Sequence, residues 1–196
     1  SVGLLRPSFR PADQVCALRS LVRHRDSLIQ SASSHVLRMQ KALNQMNLQI
    51  HHVISDITGV TGLRILEAVL AGERDPAKLA QLRDGRIRAS EQTIIQSLVG
   101  DYRRQHLFTL RQSLAAWRNY QNLMAECDRE IEEQLNAFDT AIDVQTKPLA
   151  PLKAHRRSLY TNEPNFDLRG HLYRVLGVDL TAVPGISALT AHTLLA

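Results

Sequence analysis

Arginine is the residue through which this sequence is best equipped to act. Arg83, Arg86 and Arg88 crowd around an Asp84-Gly85 turn, and Arg103 and Arg104 follow at the mouth of a long helical stretch. A guanidinium is a planar, permanently charged fork whose N–H groups match the oxygens of phosphate and carboxylate. No acidic run lies opposite these arginines in sequence. Two readings therefore stand side by side: a solvated basic face, or contact with a nucleic-acid backbone. Lys153, Arg156 and Arg157, with His155 among them, form a second basic run open to the same two readings. The third candidate is Val183-Pro184-Gly185-Ile186-Ser187. An apolar-x-Gly-apolar turn between short helices is the centre of a helix-hairpin-helix unit, where amide N–H groups opening the second helix bind a phosphate. Gly185 keeps that pattern. Ser187 replaces the usual second glycine and suits a helix N-cap. A plain helix–helix turn is the alternative.

Nucleophilic and metal chemistry find no comparable footing. There is no Gly-x-Ser-x-Gly elbow. Cys16 and Cys127 fall on helix flanks, roughly 15 Å apart in the helix pairing derived below, too far for a disulfide. Two widely separated cysteines fit a reducing, cytoplasmic compartment. His51 and His52 are adjacent at a helix end. His24, His35, His106, His155, His171 and His192 read as lone surface histidines without ligand spacing. Asp139 and Asp143 lie past a helix end, where rigid convergence on metals is not expected. Gly59-Val60-Thr61-Gly62 lacks the Gly-Lys-Ser/Thr signature of a phosphate loop. The chain is therefore read as non-catalytic, with no metal or cofactor of its own.

The bulk composition agrees with a folded helical protein. Of 196 residues, 44% are hydrophobic, 22% charged and only 5% aromatic. No apolar run approaches the roughly 20 residues of a membrane span. The net charge is +5, and twenty of the 24 basic residues are arginine, which permits nucleic-acid contact without demanding it.

The elements that must position these residues are all α-helical. Residues 1–12 read as an extended lead-in bracketed by Pro7 and Pro11. From there Val15, Leu18, Val22, Arg25, Ile29, Ala32, Val36, Met39, Leu43 and Met46 alternate in steps of three and four. That is a coiled-coil seam about 48 Å long, expected to span 13–52. A second ladder, within 103–140, runs Leu107, Leu110, Leu114, Trp117, Gln121, Met124, Asp128, Ile131, Leu135 and Phe138. Between them, 53–102 breaks into short helices around Gly59 and Gly62, Gly72, the Asp75-Pro76 cap, Asp84-Gly85 and Ser90. Residues 141–165 carry three prolines and read as a linker. Residues 166–196 read helix, turn, helix, and the chain stops inside the last helix as though truncated.

Set head to tail, the two ladders place Leu18 against Leu135, Val22 against Ile131 and Met39 against Leu114. The one charge in the first, Arg25, meets the one charge in the second, Asp128. Small Ala32 meets Gln121. Buried alone, either charge is costly; together they form a hydrogen-bonded pair that sets register. Arg19 and Arg23 are expected near Glu126, Glu130 and Glu133. The ladder leaves open whether the two helices come from one chain or from two exchanging them.

Several stretches together resemble one family: Gly3-Leu4-Leu5-Arg6-Pro7-Ser8-Phe9, then Ile54-Ser55-Asp56-Ile57-Thr58-Gly59-Val60-Thr61-Gly62, then Leu70-Ala71-Gly72-Glu73-Arg74-Asp75-Pro76, and near the end Val178-Asp179-Leu180-Thr181-Ala182-Val183-Pro184-Gly185-Ile186. In this order they resemble the bacterial insertion-sequence transposases of the IS-one-ten group, the RNA-guided DEDD recombinases. The resemblance implies a central coiled-coil fragment of a longer protein. An upstream RuvC-like domain would bear four acidic metal ligands and their divalent metal, and a downstream transposase domain a nucleophilic serine. None of those catalytic residues maps onto this chain, and Ser187 is not that serine. The implied partners are further protomers, DNA and guide RNA, with no membrane. The competing expectation is a purely structural oligomerisation module that never touches nucleic acid.

Overall fold

A computed structural model describes residues 11–151 and 162–196. Every regular element among them is helical. The three-and-four apolar spacing builds α1 (Asp13–Gln45) and α6 (Arg104–Asn136), each 33 residues long. The two pack antiparallel: Gln14 donates to the Ala137 carbonyl, the Cys127 thiol to the Leu21 carbonyl, and Arg25 to Asp128. All these contacts lie within one chain.

The expected first helix over 13–52 stops earlier, at Gln45. Asn47 adopts φ 58°, a left-handed conformation that asparagine tolerates better than most residues. Leu48 N–H then reaches back to the Leu43 carbonyl at 2.9 Å and closes the helix end. Leu48 and Ile50, buried to 0% and 1% exposure, turn into the core rather than continuing the seam. Ile50–Val53 forms a separate short helix, α2.

The chain divides into two compact units, Gln30–Gln121 and Ser1–Ile29 with Asn122–Ala196. In the first, α3 (Val60–Ala71), α4 (Pro76–Ala80) and α5 (Glu91–Ser97) gather around the end of α1 and the start of α6. Met39, Leu43, Met46, Ile65, Leu66, Leu79, Ile94, Leu98, Leu110 and Leu114 form its core. The chain's return is pinned by backbone bonds, Asp101 N–H to Met46 O at 2.8 Å and Gln49 N–H to Ser97 O at 2.7 Å. Gly100 lies so close that a Cβ there would sit 2.2 Å from the Met46 oxygen. Asp75 and Ser90 cap α4 and α5 as the sequence suggests, accepting from Ala77 and Thr93 N–H. Gly62 does not flank a turn. It is buried inside α3, which begins at Val60, and a Cβ there would strike the Ile57 backbone.

One seam position is corrected. Gln121 is exposed rather than enclosed in the ladder. Its amide stays in water, while Tyr120 turns inward and its ring lies 5.5 Å from that of His35.

In the second unit, Leu18, Val22, Ile131 and Leu135 carry the seam, joined by Leu168 and Leu172 of α7 (Leu168–Leu176) and Ala191 of α8 (Ala188–Leu195). Arg174 closes the end of α6. Its guanidinium donates to the Leu135 and Phe138 carbonyls and the Thr140 hydroxyl, satisfying acceptors that a helix terminus leaves open. The expected flanking ion pairs are absent among the described residues. Arg19 instead donates to the Ala196 oxygen, and no ion pair joins Arg23 to Glu126, Glu130 or Glu133.

Candidate nucleic-acid interface

The arginine loop is built on α3 and α4. Leu79 and Ala80 are buried, and Asp84 N–H donates to the buried Thr61 hydroxyl at 2.8 Å, which fixes the turn. Arg83 reaches forward to the Ala89 carbonyl at 3.0 Å and Arg86 folds back onto Asp84, Nε to Oδ1 at 2.8 Å. That bond holds the Asp84 carboxyl well below its ordinary value, at about 2. Arg88 is exposed and has no ion-pair or hydrogen-bond partner among the described residues.

Arg103 pairs with Asp101 at 2.6 Å, whereas Arg104, in the first turn of α6, has no such partner among the described residues. Two arginines at the positive end of a helix run against its dipole. Both groups border one core, since Leu82, Ile87, Ala89 and Tyr102 all pack against it.

Charge is distributed unevenly over this unit. Residues 30–121 hold twelve Arg and Lys against seven Asp and Glu, which equals the whole chain's net +5. All seven acids lie between Asp56 and Asp101. The long-helix segments, 30–45 of α1 and 104–121 of α6, carry Arg38, Lys41, Arg104, Arg111 and Arg118 with no acid at all. Arg118 pairs with Glu67 of α3; the other four have no ion-pair partner among the described residues. Sequence reading singled out Arg104 but missed Arg38, Lys41 and Arg111. The missing signal was the absence of acids on these helices rather than any local cluster of bases.

Lys153, Arg156 and Arg157 lie outside the described residues. The Gly185 turn belongs to the other unit. Gly185 is exposed at φ 91°, and Ser187 caps α8, its hydroxyl accepting from Thr190 N–H at 3.1 Å. No Arg or Lys follows Arg174 in the chain, and Arg169, which reaches Thr181 just before the turn, is paired with Asp179.

The most tightly enclosed charges form a separate cluster. Arg25 and Asp128 are 6% and 3% exposed, joined by two hydrogen bonds. Arg25 also donates to the Asn162 carbonyl at 2.9 Å, and Asn165 N–H donates to Asp128. His192, read from sequence as a surface residue, is buried to 2% beside them. Burial first, then the nearby Arg25 charge, depresses its pKa to about 4, and its Nε2 has no partner. The Arg25–Asp128 pair is enclosed and hydrogen-bonded on both sides, with the His192 Nε2 the one cluster atom left without a partner among the described residues, and the pair sets the register of the two long helices. Among the described residues no grouping of His, Cys, Asp and Glu could hold a metal ion, and no helix is long and apolar enough to cross a membrane.

Comparison with protein-family models, curated proteins and solved structures returns no match.

Proposed function

We propose that this chain is a non-catalytic helical scaffold of a DNA-recombining protein, resembling the coiled-coil region of an insertion-sequence transposase, and that it contacts DNA or guide RNA while associating protomers. The acid-free long-helix segments of residues 30–121 carry the nucleic-acid part of this reading. Exposed bases with no acid beside them attract polyphosphate and release its counterions on binding. The transposase part rests on the four ordered sequence stretches, and the metal-dependent chemistry it implies would belong to residues outside this chain. Titrating the chain with labelled RNA and duplex DNA over a range of salt tests the reading. Binding that weakens steeply with salt is expected; no binding even at low salt would remove it.

The purely structural alternative has one observation in its favour. Leu37 and Phe108, large apolar side chains on the long helices, are 65% and 59% exposed and are positions that a second copy of the chain could cover. Solution mass, measured with and without nucleic acid, separates the readings: a stable oligomer indifferent to nucleic acid supports the structural one.

A further inference from the structure

Phe108 is an exposed aromatic on the acid-free part of α6. Its neighbours at helical spacing are Arg104, four residues before, and Arg111, three residues after, so the three lie along one stripe of the helix. Arg104, Gln105, Phe108 and Thr109 line an open depression. From Arg103 to Ala125 the chain has no Asp or Glu. Arg104 and Arg111 stand about 10 Å apart along the axis, one on each side of the ring.

We infer that this stripe is a seat for unpaired nucleotides, in which a base stacks on Phe108 and the flanking phosphates meet Arg104 and Arg111. An aromatic face between two cationic arms matches the two faces of a single strand, its bases and its backbone. In a duplex the bases are stacked on one another, so Phe108 has nothing to receive and only the arginines engage. The depression is open and single-sided, which suits a base laid against it and not a small molecule enclosed by it. The amide of Gln105 and the hydroxyl of Thr109 supply polar groups at its edge for a base rim or sugar. This inference rests on the nucleic-acid reading above and refines it to one position and one strand state.

The test compares the wild-type chain with Phe108→Ala, Phe108→Trp and Arg104→Ala/Arg111→Ala, using fluorescently labelled oligo-uridine, oligo-thymidine and a duplex DNA of equal length. Phe108 is exposed, so circular dichroism should show an unchanged fold in its variants. Loss of the ring should weaken single-strand binding by about five-fold or more, leave duplex binding and the salt slope unchanged, and be rescued by tryptophan. The double arginine variant should weaken both strand states and flatten the salt slope. Oligo-uridine against oligo-thymidine distinguishes an RNA from a DNA single strand. Equal affinity of Phe108→Ala and wild type for single strands overturns the seat while leaving arginine-mediated binding intact. Absence of any wild-type binding at low salt overturns both. A dimer that dissociates in Phe108→Ala, with single-strand affinity unaltered, assigns the ring to a second copy of the chain and also overturns the seat.

Discussion

Arg25 and Asp128 show how a single pair of residues decides register. Each is unfavourable on an apolar ladder, and only the pairing of one with the other makes both tolerable. Removing the acid strands a guanidinium that is 6% exposed and frees the Asn165 amide that it held. Asp128→Ala should therefore destabilise by about 3–5 kcal/mol, while exposed Gln121→Ala should change stability by less than about 0.5 kcal/mol. Denaturant melts of the two variants check this, and equal midpoints would count against the register. His192 makes a second prediction at this scale. The unfolded chain takes up a proton near 6.5, whereas folded His192, packed beside Arg25 and Asp128, resists until about 4. Between those values the unfolded state holds the extra proton, so stability falls as pH drops through this window, by about 3 kcal/mol in full. His192→Leu should flatten that part of the curve in urea melts repeated from pH 7 to pH 4. The Arg25–Asp128 pair was legible in the sequence because charges on an apolar seam are rare and need each other. The burial of His192 was not, because it depends on where α8 docks, which no local pattern encodes.

The elements themselves were largely legible, because their caps are local chemistry. Asp75 before Pro76, Ser90 before Glu91, and the glycines after α3 and α7 mark helix ends that the structure reproduces. The end of α1 was misplaced for a corresponding reason: Asn47 is a weaker stop signal than glycine, and the apolar residues beyond it mimic a continuing seam. Gly100 carries no local signal beyond that of a helix end. Its actual constraint is the close approach of the Met46 carbonyl, a contact between distant parts of the chain. Gly100→Ala should force that crossing apart and cost about 1–3 kcal/mol. The loss should appear as a lower thermal midpoint, while Gly85→Ala, where nothing lies within 4 Å of an added Cβ, should be close to neutral.

At the scale of the whole chain, charge says more than motif. The arginines clustered in sequence are not all free, since Arg86 and Arg103 engage Asp84 and Asp101. The unpartnered bases are scattered along two helices and visible only when acids are counted as well. A salt titration of nucleic-acid binding should therefore rank the variants by availability. Arg104→Ala and Arg88→Ala should each lower the log–log slope by about one. Arg86→Ala and Arg103→Ala should lower it less, because each guanidinium is already engaged by an aspartate and neutralises less phosphate. The candidate interface was thus half legible: sequence proximity grouped its arginines, but pairing within the fold sorted which of them are unpartnered.

The charges of α6 have one more consequence. Its first turn holds an unpaired Arg104 and no acid, and its last third carries Glu126, Asp128, Glu130, Glu132 and Glu133. Arg104 thus opposes the positive end of the peptide dipole, and acids crowd toward the other end, where the Arg174 guanidinium on the last carbonyls offsets them only in part. Dissolved ions weaken both penalties, while the enclosed Arg25–Asp128 bond is sheltered from them. Dilute buffer should then be the harshest solvent for this chain, and its melting temperature should climb on going from about 10 mM to 150 mM sodium chloride, a range that takes the Debye length from about 30 Å to 8 Å.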